Sequence, residues 1–267
     1  MNKTLVFTAT YNESENIKEL ISEIFSLNKK IDLLVVDDNS PDKTYEIVEK
    51  ISQENKNIIL KKREGKLGLN TAHIFGYEYA IVNNYEKLIT MDADLSHEPK
   101  EIPKIIDLLN DNSFVIGSRY IPGGKNDMTK FRLLLSILGN KFIKVFLNSK
   151  GTEFTSSFRG FNLKKLKNFH FKEIDSKGYS FFMETVIKIN MIGHKSYEFP
   201  IHFKNREFGG SKIPKIEIIR TFVNVLRLKF GRKKRLYILK IKFLQKPKKS
   251  LNRNFKEQLI YSIVVIV

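Results

Sequence analysis

The first 120 residues alternate between short apolar runs and stretches with helical spacing. "KTLVFTATY" (3–11), "IDLLVVDD" (31–38), "NIILKKR" (57–63), "EKLITMDAD" (86–94) and "SFVIGSRY" (113–120) read as strands. Between the first two, "ESENIKELISEIFSL" (13–27) places Ile17, Leu20, Ile21, Ile24 and Phe25 on one helical face behind Ser14, a residue able to cap. "SPDKTYEIVEKISQE" (40–54) opens with the turn formers Pro41 and Asp42, "LGLNTAHIFGYEYAIV" (67–82) follows a glycine turn, and "PKEIPKIIDLLN" (99–110) supplies a fourth helix. Alternation of this kind predicts an α/β fold: a Rossmann-like, mostly parallel sheet with helices on both faces. In such sheets ligands bind beyond the carboxyl ends of the strands. Glu13, the pair Asp37 and Asp38, and the pair Asp92 and Asp94 all follow strand ends, so they are expected to converge on one sheet edge.

Beyond residue 130 the pattern changes. "FRLLLSILGNKFIKVFLN" (131–148) puts Phe131, Leu134, Leu135, Leu138, Phe142, Val145 and Phe146 on one stripe and Arg132, Ser136 and Asn140 on another. "KIEIIRTFVNVLRLKF" (215–230) is a second amphipathic helix. Singly, such helices cover a core. Two of them, the second running into a basic tail, point to contact with a membrane surface.

Charge sharpens this. Of a formal net charge of +18, thirteen Lys and Arg sit between Arg227 and Lys256 without one Asp or Glu, leaving +5 for the rest of the chain. The body is mildly basic; the tail calls for an anionic partner, nucleic acid or lipid headgroups, or else is a solvated extension. The final "LIYSIVVIV" (259–267) is too short to span a bilayer, and the N-terminal stretch lacks the cleavage site and apolar core of a signal peptide. With 42% hydrophobic residues a real core is affordable, and the absence of cysteine excludes disulfides, thiolate metal sites and cysteine nucleophiles.

"MDADLSHEP" (91–99) is the candidate chemistry: three carboxylates and a histidine in nine residues of a cationic chain. Asp92 and Asp94 at a strand end suit a hard divalent cation, magnesium or manganese, which takes oxygen ligands and bridges to phosphate. A solvated carboxylate pair is the plainer reading of an isolated D-x-D. Asp37 and Asp38 suit a base or ribose, or else a turn; Tyr11 suits stacking on a base, or else the core. His97 and Glu98 receive no role beyond the start of the next helix.

Taken together, "TYNESENI" (10–17), "VVDDNSPDKT" (35–44), "KLGLNTAHIFGYEYA" (66–80), "MDADLSHEP" (91–99), "GSRYIPGG" (117–124), "TSSFRGF" (155–161), "GYSFFMET" (178–185) and "PIHFKNREFGGSKI" (200–213) resemble glycosyltransferase family 2, inverting enzymes of GT-A fold. Within that family they are most similar to the polyprenyl-phosphate sugar transferases of the dolichol-phosphate mannose synthase type. The resemblance implies a catalytic domain over 1–213 and an amphipathic, basic membrane-associating extension over 214–267. It implies that Ala9, Tyr11, Glu13, Val36, Asp37 and Asp38 hold the nucleoside. Asp92, Ala93 and Asp94 would hold the metal and diphosphate, with Ser96 placed to add a metal ligand. Arg119, Arg206 and Lys212 would reach phosphate. Arg119, Arg132 and Ser136 would meet the acceptor phosphate, and Glu184 would take a positioning or acceptor-sugar role rather than that of an obligatory base.

The implied reaction is inverting transfer of a sugar, mannose from GDP-mannose, onto a polyprenyl or dolichyl monophosphate. It would take place at the cytoplasmic face of a membrane, with the protein bound peripherally and a separate anchoring subunit as an option. UDP-glucose or UDP-GlcNAc is the alternative donor, with a lipid phosphate or other glycan as acceptor. A non-enzymatic binder of anionic polymers would explain the charge but not the carboxylates, and nucleic acid is not an expected partner. The sequence departs from the family pattern at Ala9, Asn70, Glu153, Ser157 and Asn205, where relatives usually carry Pro, Gly, Asp, Gly and Asp.

Overall fold

Strands β1 (Thr4–Thr10), β2 (Ile31–Asp37) and β4 (Lys87–Thr90) are buried at almost every position, as strands covered on both faces must be. The structure, a computed structural model, describes residues 3–27, 29–205 and 220–231. The other strands are β3 (Ile58–Lys62), β5 (Phe114–Ser118), β6 (Lys125–Asn126), β7 (Arg159–Asn162), β8 (Ser196–Pro200) and β9 (His202–Phe203). The helices are α1 (Ile17–Ser26), α2 (Thr44–Glu54), α3 (Leu69–Val82), α4 (Ile102–Asp111), α5 (Lys130–Leu147) and α6 (Ser180–Met191), followed by helix 220–231. Two compact units divide the chain, Met1–Val225 and Leu226–Val267. The expected boundary at 213/214 falls within residues 206–219, outside the described residues. Among the described residues no helix is long and apolar enough to cross a membrane.

Seven strands form the main sheet in the order β3-β2-β1-β4-β7-β5-β8. All pairings are parallel except those of β7, which runs antiparallel between β4 and β5. β6 and β9 make a separate two-stranded ribbon. Side chains alternate between the faces. Val6, Leu33, Val35, Ile89 and Val115 pack with Ile17, Leu20 and Ile24 of α1, Val48 of α2 and Ile102, Ile105 and Leu109 of α4. On the other face Phe7 meets His73 of α3, and Phe114 and Phe161 join a cluster with Tyr77, Phe171 and Phe181.

The sequence pattern locates all four helices and all five strands of the first half. It overextends the fourth strand: β4 stops at Thr90, and residues 91–98 turn away. It also assigns Ser14 a capping role it does not have. Asn16 precedes α1 without a side-chain cap, and the Ser14 amide donates to Asp42 Oδ2 at 2.9 Å.

Two packing details expose the tightness of the layers. A Cβ on Gly160 of β7 would lie 2.5 Å from Ile105 Cγ2 and 3.0 Å from Leu109 Cδ1, so the missing side chain lets α4 sit on the strand. Gly160→Ala should therefore destabilise by about 1–3 kcal/mol, a Tm loss of several degrees in thermal unfolding; an unchanged Tm would mean that α4 moves freely. His73 is fully buried among Phe7, Phe181 and Phe182, with ring centroids 5.0, 5.8 and 4.9 Å away.

Burial, aided by the Arg159 charge, pushes the His73 pKa from 6.5 down to about 3. The unfolded chain then binds the extra proton between those values, so this stability is complete above pH 6.5 and falls as the pH drops towards 3. The slope is at most about 1.4 kcal/mol per pH unit. Urea unfolding at pH 7.5 and 5 should show the loss in the wild type and a shallower one in His73→Phe. A residual slope of the same sign is expected from His97, whose pKa burial also lowers.

Candidate active site

The loops after β1, β2 and β4 build one cleft beyond the carboxyl ends of these strands. It is lined by Ala9, Thr10, Tyr11, Glu13, Asp38, Lys66, Gly68, Leu69, Ala72, Asp92, Ala93, Asp94 and Tyr179. Among the described residues, the structure therefore brings together the carboxylates at the three strand ends. The way it does so is local. Left-handed turns at Asn12 and Asn39 reverse the chain after β1 and β2, a conformation asparagine tolerates. The second loop then caps the first. The amides of Asn12 and Glu13 donate to Ser40 Oγ and Thr44 Oγ1, each at 3.0 Å.

The two adjacent aspartates divide their work. Asp37 is wholly buried and accepts from Thr10 Oγ1 at 2.7 Å, the Ser40 amide at 2.8 Å and Ser40 Oγ at 2.6 Å. It braces the loops, and it is absent from the cleft lining. Asp38 faces the cleft and is ion-paired with Arg63. Arg63 also donates to Thr71 Oγ1 at 2.7 Å and to the Gly68 carbonyl at 3.2 Å, so one guanidinium ties Asp38 to the start of α3. Val36, opposite Ala9 in the parallel register, is buried in the sheet and not on the cleft wall. Tyr11 carries Lys66 Nζ 4.0 Å from its ring centroid.

After β4 the chain winds through a turn with Leu95 at φ 59°, a left-handed conformation that strains a leucine. Asp94 is buried and accepts the Ser96 amide at 3.1 Å; Asp92 is partly exposed. Ser96 is buried and off the cleft wall. His97 is buried too, its ring stacked on Phe158 at 5.1 Å and edge-on to Phe203 at 5.5 Å. Glu98 pairs with Lys100 at 2.9 Å and Lys204 at 3.1 Å.

The remaining expected residues that the structure describes are not among the cleft lining. Arg119 is partly buried, its side chain 9% exposed and 3.1 Å from Glu153 Oε2, with its guanidinium 4.4 Å over the Phe203 ring. Burial works against its charge, but Glu153 offsets this and raises the pKa. Glu153 itself is fully buried and also accepts the amides of Thr155 and Ser156. Tyr120 links the strand to α5: its hydroxyl lies 2.5 Å from Ser136 Oγ. Arg132, one turn before Ser136, is exposed. Glu184 is buried in α6, where Ser176 Oγ donates at 2.5 Å, the Ser176 amide at 2.9 Å, and Lys188 sits at 3.1 Å. Burial opposes its charge, but Ser176 and Lys188 hold its pKa below the ordinary value. Arg206 and Lys212 lie outside the described residues.

Three residues of this neighbourhood received no role from the sequence: Arg63, Lys66 and Tyr179. Lys66 and Tyr179 fall inside recognised blocks, but nothing in the spacing marks them as cleft residues. Arg63 closes a strand and reads as an ordinary surface cation.

Known proteins bear on this arrangement. The chain is 31% identical over 226 residues to the undecaprenyl-phosphate mannosyltransferase of Micrococcus luteus, covering 84% of this chain and 93% of that protein. It is 32% identical over 214 residues to the polyprenol monophosphomannose synthase of Mycolicibacterium smegmatis, covering 79% and 81%. In fold it is similar to glucosyl-3-phosphoglycerate synthase from Mycobacterium tuberculosis, solved with manganese and UDP, at TM-score 0.59, 16% identity and coverage of 86% and 80%. It is also similar to a mannosyltransferase from Pyrobaculum calidifontis solved with GDP-Man and manganese, at TM-score 0.53, 18% identity and coverage of 87% and 64%. The sheet and its neighbours place the fold as GT-A. Residues 5–169, which carry Asp38, Asp92 and Asp94, match the description "Glycosyl transferase family 2", and the chain belongs to that family.

Proposed function

We propose that the protein transfers mannose from GDP-mannose to a polyprenyl monophosphate at a membrane surface. The observation that carries the lipid acceptor is the exposed face of α5. Phe131 and Val145 are 73% and 71% exposed, and Leu134, Leu135 and Leu138 between them are exposed as well. The helix is held instead by Asn140, Ile143 and Leu147. Asn140 accepts the Phe154 amide at 3.0 Å and donates to the Ser136 carbonyl at 2.9 Å. Five of the seven residues of the apolar stripe thus face outward, while Phe142 and Phe146 are half-buried and stack on each other at 5.2 Å; Lys130, Arg132, Lys141 and Lys144 lie along the same helix. An apolar face with flanking cations suits the boundary between headgroups and acyl chains. The names of the two curated relatives agree with a polyprenyl acceptor, and the P. calidifontis neighbour favours GDP-mannose as donor.

The Asp92 and Asp94 carboxylates offer a divalent cation hard oxygen donors on one turn of the cleft lining. Among the described residues no group of three or more His, Asp or Glu could hold a metal alone, so the two aspartates would need ligands from the substrate and water. Asp92 and Asp94 would hold the ion, with ligand phosphates and water completing its shell. When bound, the ion neutralises the charge that develops on the departing diphosphate. Asp38, held by Arg63, presents a carboxylate edge able to accept from a nucleobase N–H. Tyr11 offers its ring for stacking. Arg132 and Ser136 would receive the acceptor phosphate by charge-assisted and neutral hydrogen bonds. That phosphate is already anionic near neutral pH, so the attack needs no strong base, which accords with the buried, fully engaged Glu184.

A donor panel tests the reading: GDP-mannose, UDP-glucose and UDP-GlcNAc, each with polyprenyl phosphate and magnesium or manganese. Release of GDP with formation of mannosyl lipid is expected. Turnover with a soluble glycan and none with lipid phosphate would overturn the acceptor. Replacing Phe131 and Leu138 by serine should leave Tm unchanged and raise KM for a long-chain acceptor roughly tenfold or more, since each lost apolar contact contributes on the order of 1 kcal/mol. KM for a short, water-soluble acceptor should stay constant. Equal effects on both acceptors would remove α5 from the membrane.

A further inference from the structure

His97 combines three features that packing alone does not explain. Its Nδ1 accepts the amide of Asp92 at 3.3 Å, which assigns the proton to Nε2. Nε2 is buried and has no hydrogen-bond partner among the described residues. The ring is clamped between Phe158 of the core and Phe203 of β9. A buried, unpartnered N–H is destabilising by roughly 1–3 kcal/mol, and a phenylalanine would fill an aromatic slot without that cost. The histidine therefore costs stability in return for what Nδ1 meets: the Asp92 amide that it accepts, with the carboxylate of the same aspartate 3.7 Å away.

What that acceptor holds is the turn of the two carboxylates. The Asp92 amide lies just past the end of β4, after Met91, whose amide still donates to the Phe7 carbonyl of β1 at 3.1 Å, and so at the point where the chain leaves the sheet. The Ser96 amide closes the turn on Asp94, and between them Leu95 adopts its strained left-handed conformation. A strained turn persists only where its surroundings over-determine it. His97, anchored in the aromatic core, bonds back across five residues and closes the loop from Asp92 to His97.

We propose that His97 is a positioning residue for the metal carboxylates: through Nδ1 it fixes the Asp92 amide and so the turn on which Asp92 and Asp94 are mounted. This rests on the reading of those carboxylates as metal ligands given above. It assigns the histidine of "MDADLSHEP" a role toward the cation without making it a ligand. Outer groups that orient ligands typically account for 10–100-fold in metal affinity.

The test is manganese affinity of the full chain in the presence of GDP, followed by the EPR signal of free Mn2+, alongside thermal unfolding. His97→Phe keeps the ring and removes the acceptor. His97→Asn keeps an acceptor near the Nδ1 position and removes the ring. The expected result is a 10–100-fold weaker manganese affinity in His97→Phe at near wild-type Tm. His97→Asn should bind manganese within a few fold of wild type despite a lower Tm. Wild-type affinity in His97→Phe, or equal losses in both variants, would overturn the proposal. His97→Leu repeats the acceptor-free arm if the phenylalanine variant does not fold, and loss of fold in both would assign His97 to packing alone. If the wild-type chain binds no manganese with GDP, the metal reading itself falls and this inference with it; if it binds and the variants match it, only the inference falls.

Discussion

Asp94→Ala is expected to lower kcat by at least about 10²–10³-fold while the protein stays folded. Losing stabilisation of charge developing on a leaving group costs about 3–4 kcal/mol of barrier. Asp94 is buried at the rim of the cleft and oriented by the Ser96 amide, so its carboxylate has little freedom to be replaced by a neighbour. Asp94→Asn separates charge from shape: the amide side chain keeps an acceptor for Ser96 but no anionic oxygen. Both variants should lose turnover, and Asn should keep the wild-type Tm more closely than Ala. Chelation of the wild type should reproduce the loss, with recovery on adding magnesium or manganese. Turnover of Asp94→Ala within tenfold of wild type, unaffected by chelator, would remove this carboxylate from the chemistry.

Arg159→Met is expected to have the largest effect on stability. Arg159 lies in β7, 1% exposed, and its guanidinium serves three carbonyls. Nε donates to Ser156 at 2.6 Å, and the two terminal nitrogens donate to Phe182 at 2.8 Å and Phe154 at 3.0 Å. The faces of the group meet Phe182 and Phe114 at 5.0 and 5.8 Å. Burial pulls its pKa down to about 9, which still leaves it cationic at neutral pH. Methionine fills much of the volume but takes the donors from the buried carbonyls of Ser156 and Phe154, at about 1–3 kcal/mol each before relaxation, and leaves that of Phe182 with its helical bond alone. A net loss of about 3–5 kcal/mol and a Tm lower by about 10 °C or more follow. Arg159→Lys should recover part of this, because one ammonium cannot span all three acceptors. A methionine variant as stable as wild type would show that the carbonyls find water.

The first half of the fold and the edge that carries the cleft are legible in the sequence because their signals are local. Apolar runs bounded by "TYNES", "DDNSPDKT" and "DADLS" mark strand, turn and carboxylate in each case. The remainder depends on distant partners. β7 has four residues, one an arginine and one a glycine, and becomes a strand only because β4 and β5 flank it. The burial of α5 is inverted relative to its hydrophobic stripe, since Asn140 is fixed by the Phe154 amide, a bond no periodicity reveals. Asp37 and Asp38 look equivalent in sequence. Their separate roles come from Thr10 and Ser40 on one side and Arg63 on the other.

The antiparallel β7 also sets an order of assembly. β3, β2, β1 and β4 are complete as a parallel half-sheet once residue 90 has been made, but the outer edge of β4 stays unpaired until residues 159–162 arrive. A translating ribosome adds about 5–20 residues per second, so that edge is open for roughly 4–14 s during synthesis. An exposed strand edge is a template for pairing with other chains. β5 cannot close it from its own position, because β5 pairs with β7 and not with β4. The vulnerable period in the life of this protein is therefore its birth, when half a sheet waits for a four-residue strand that begins 69 residues after its neighbour ends.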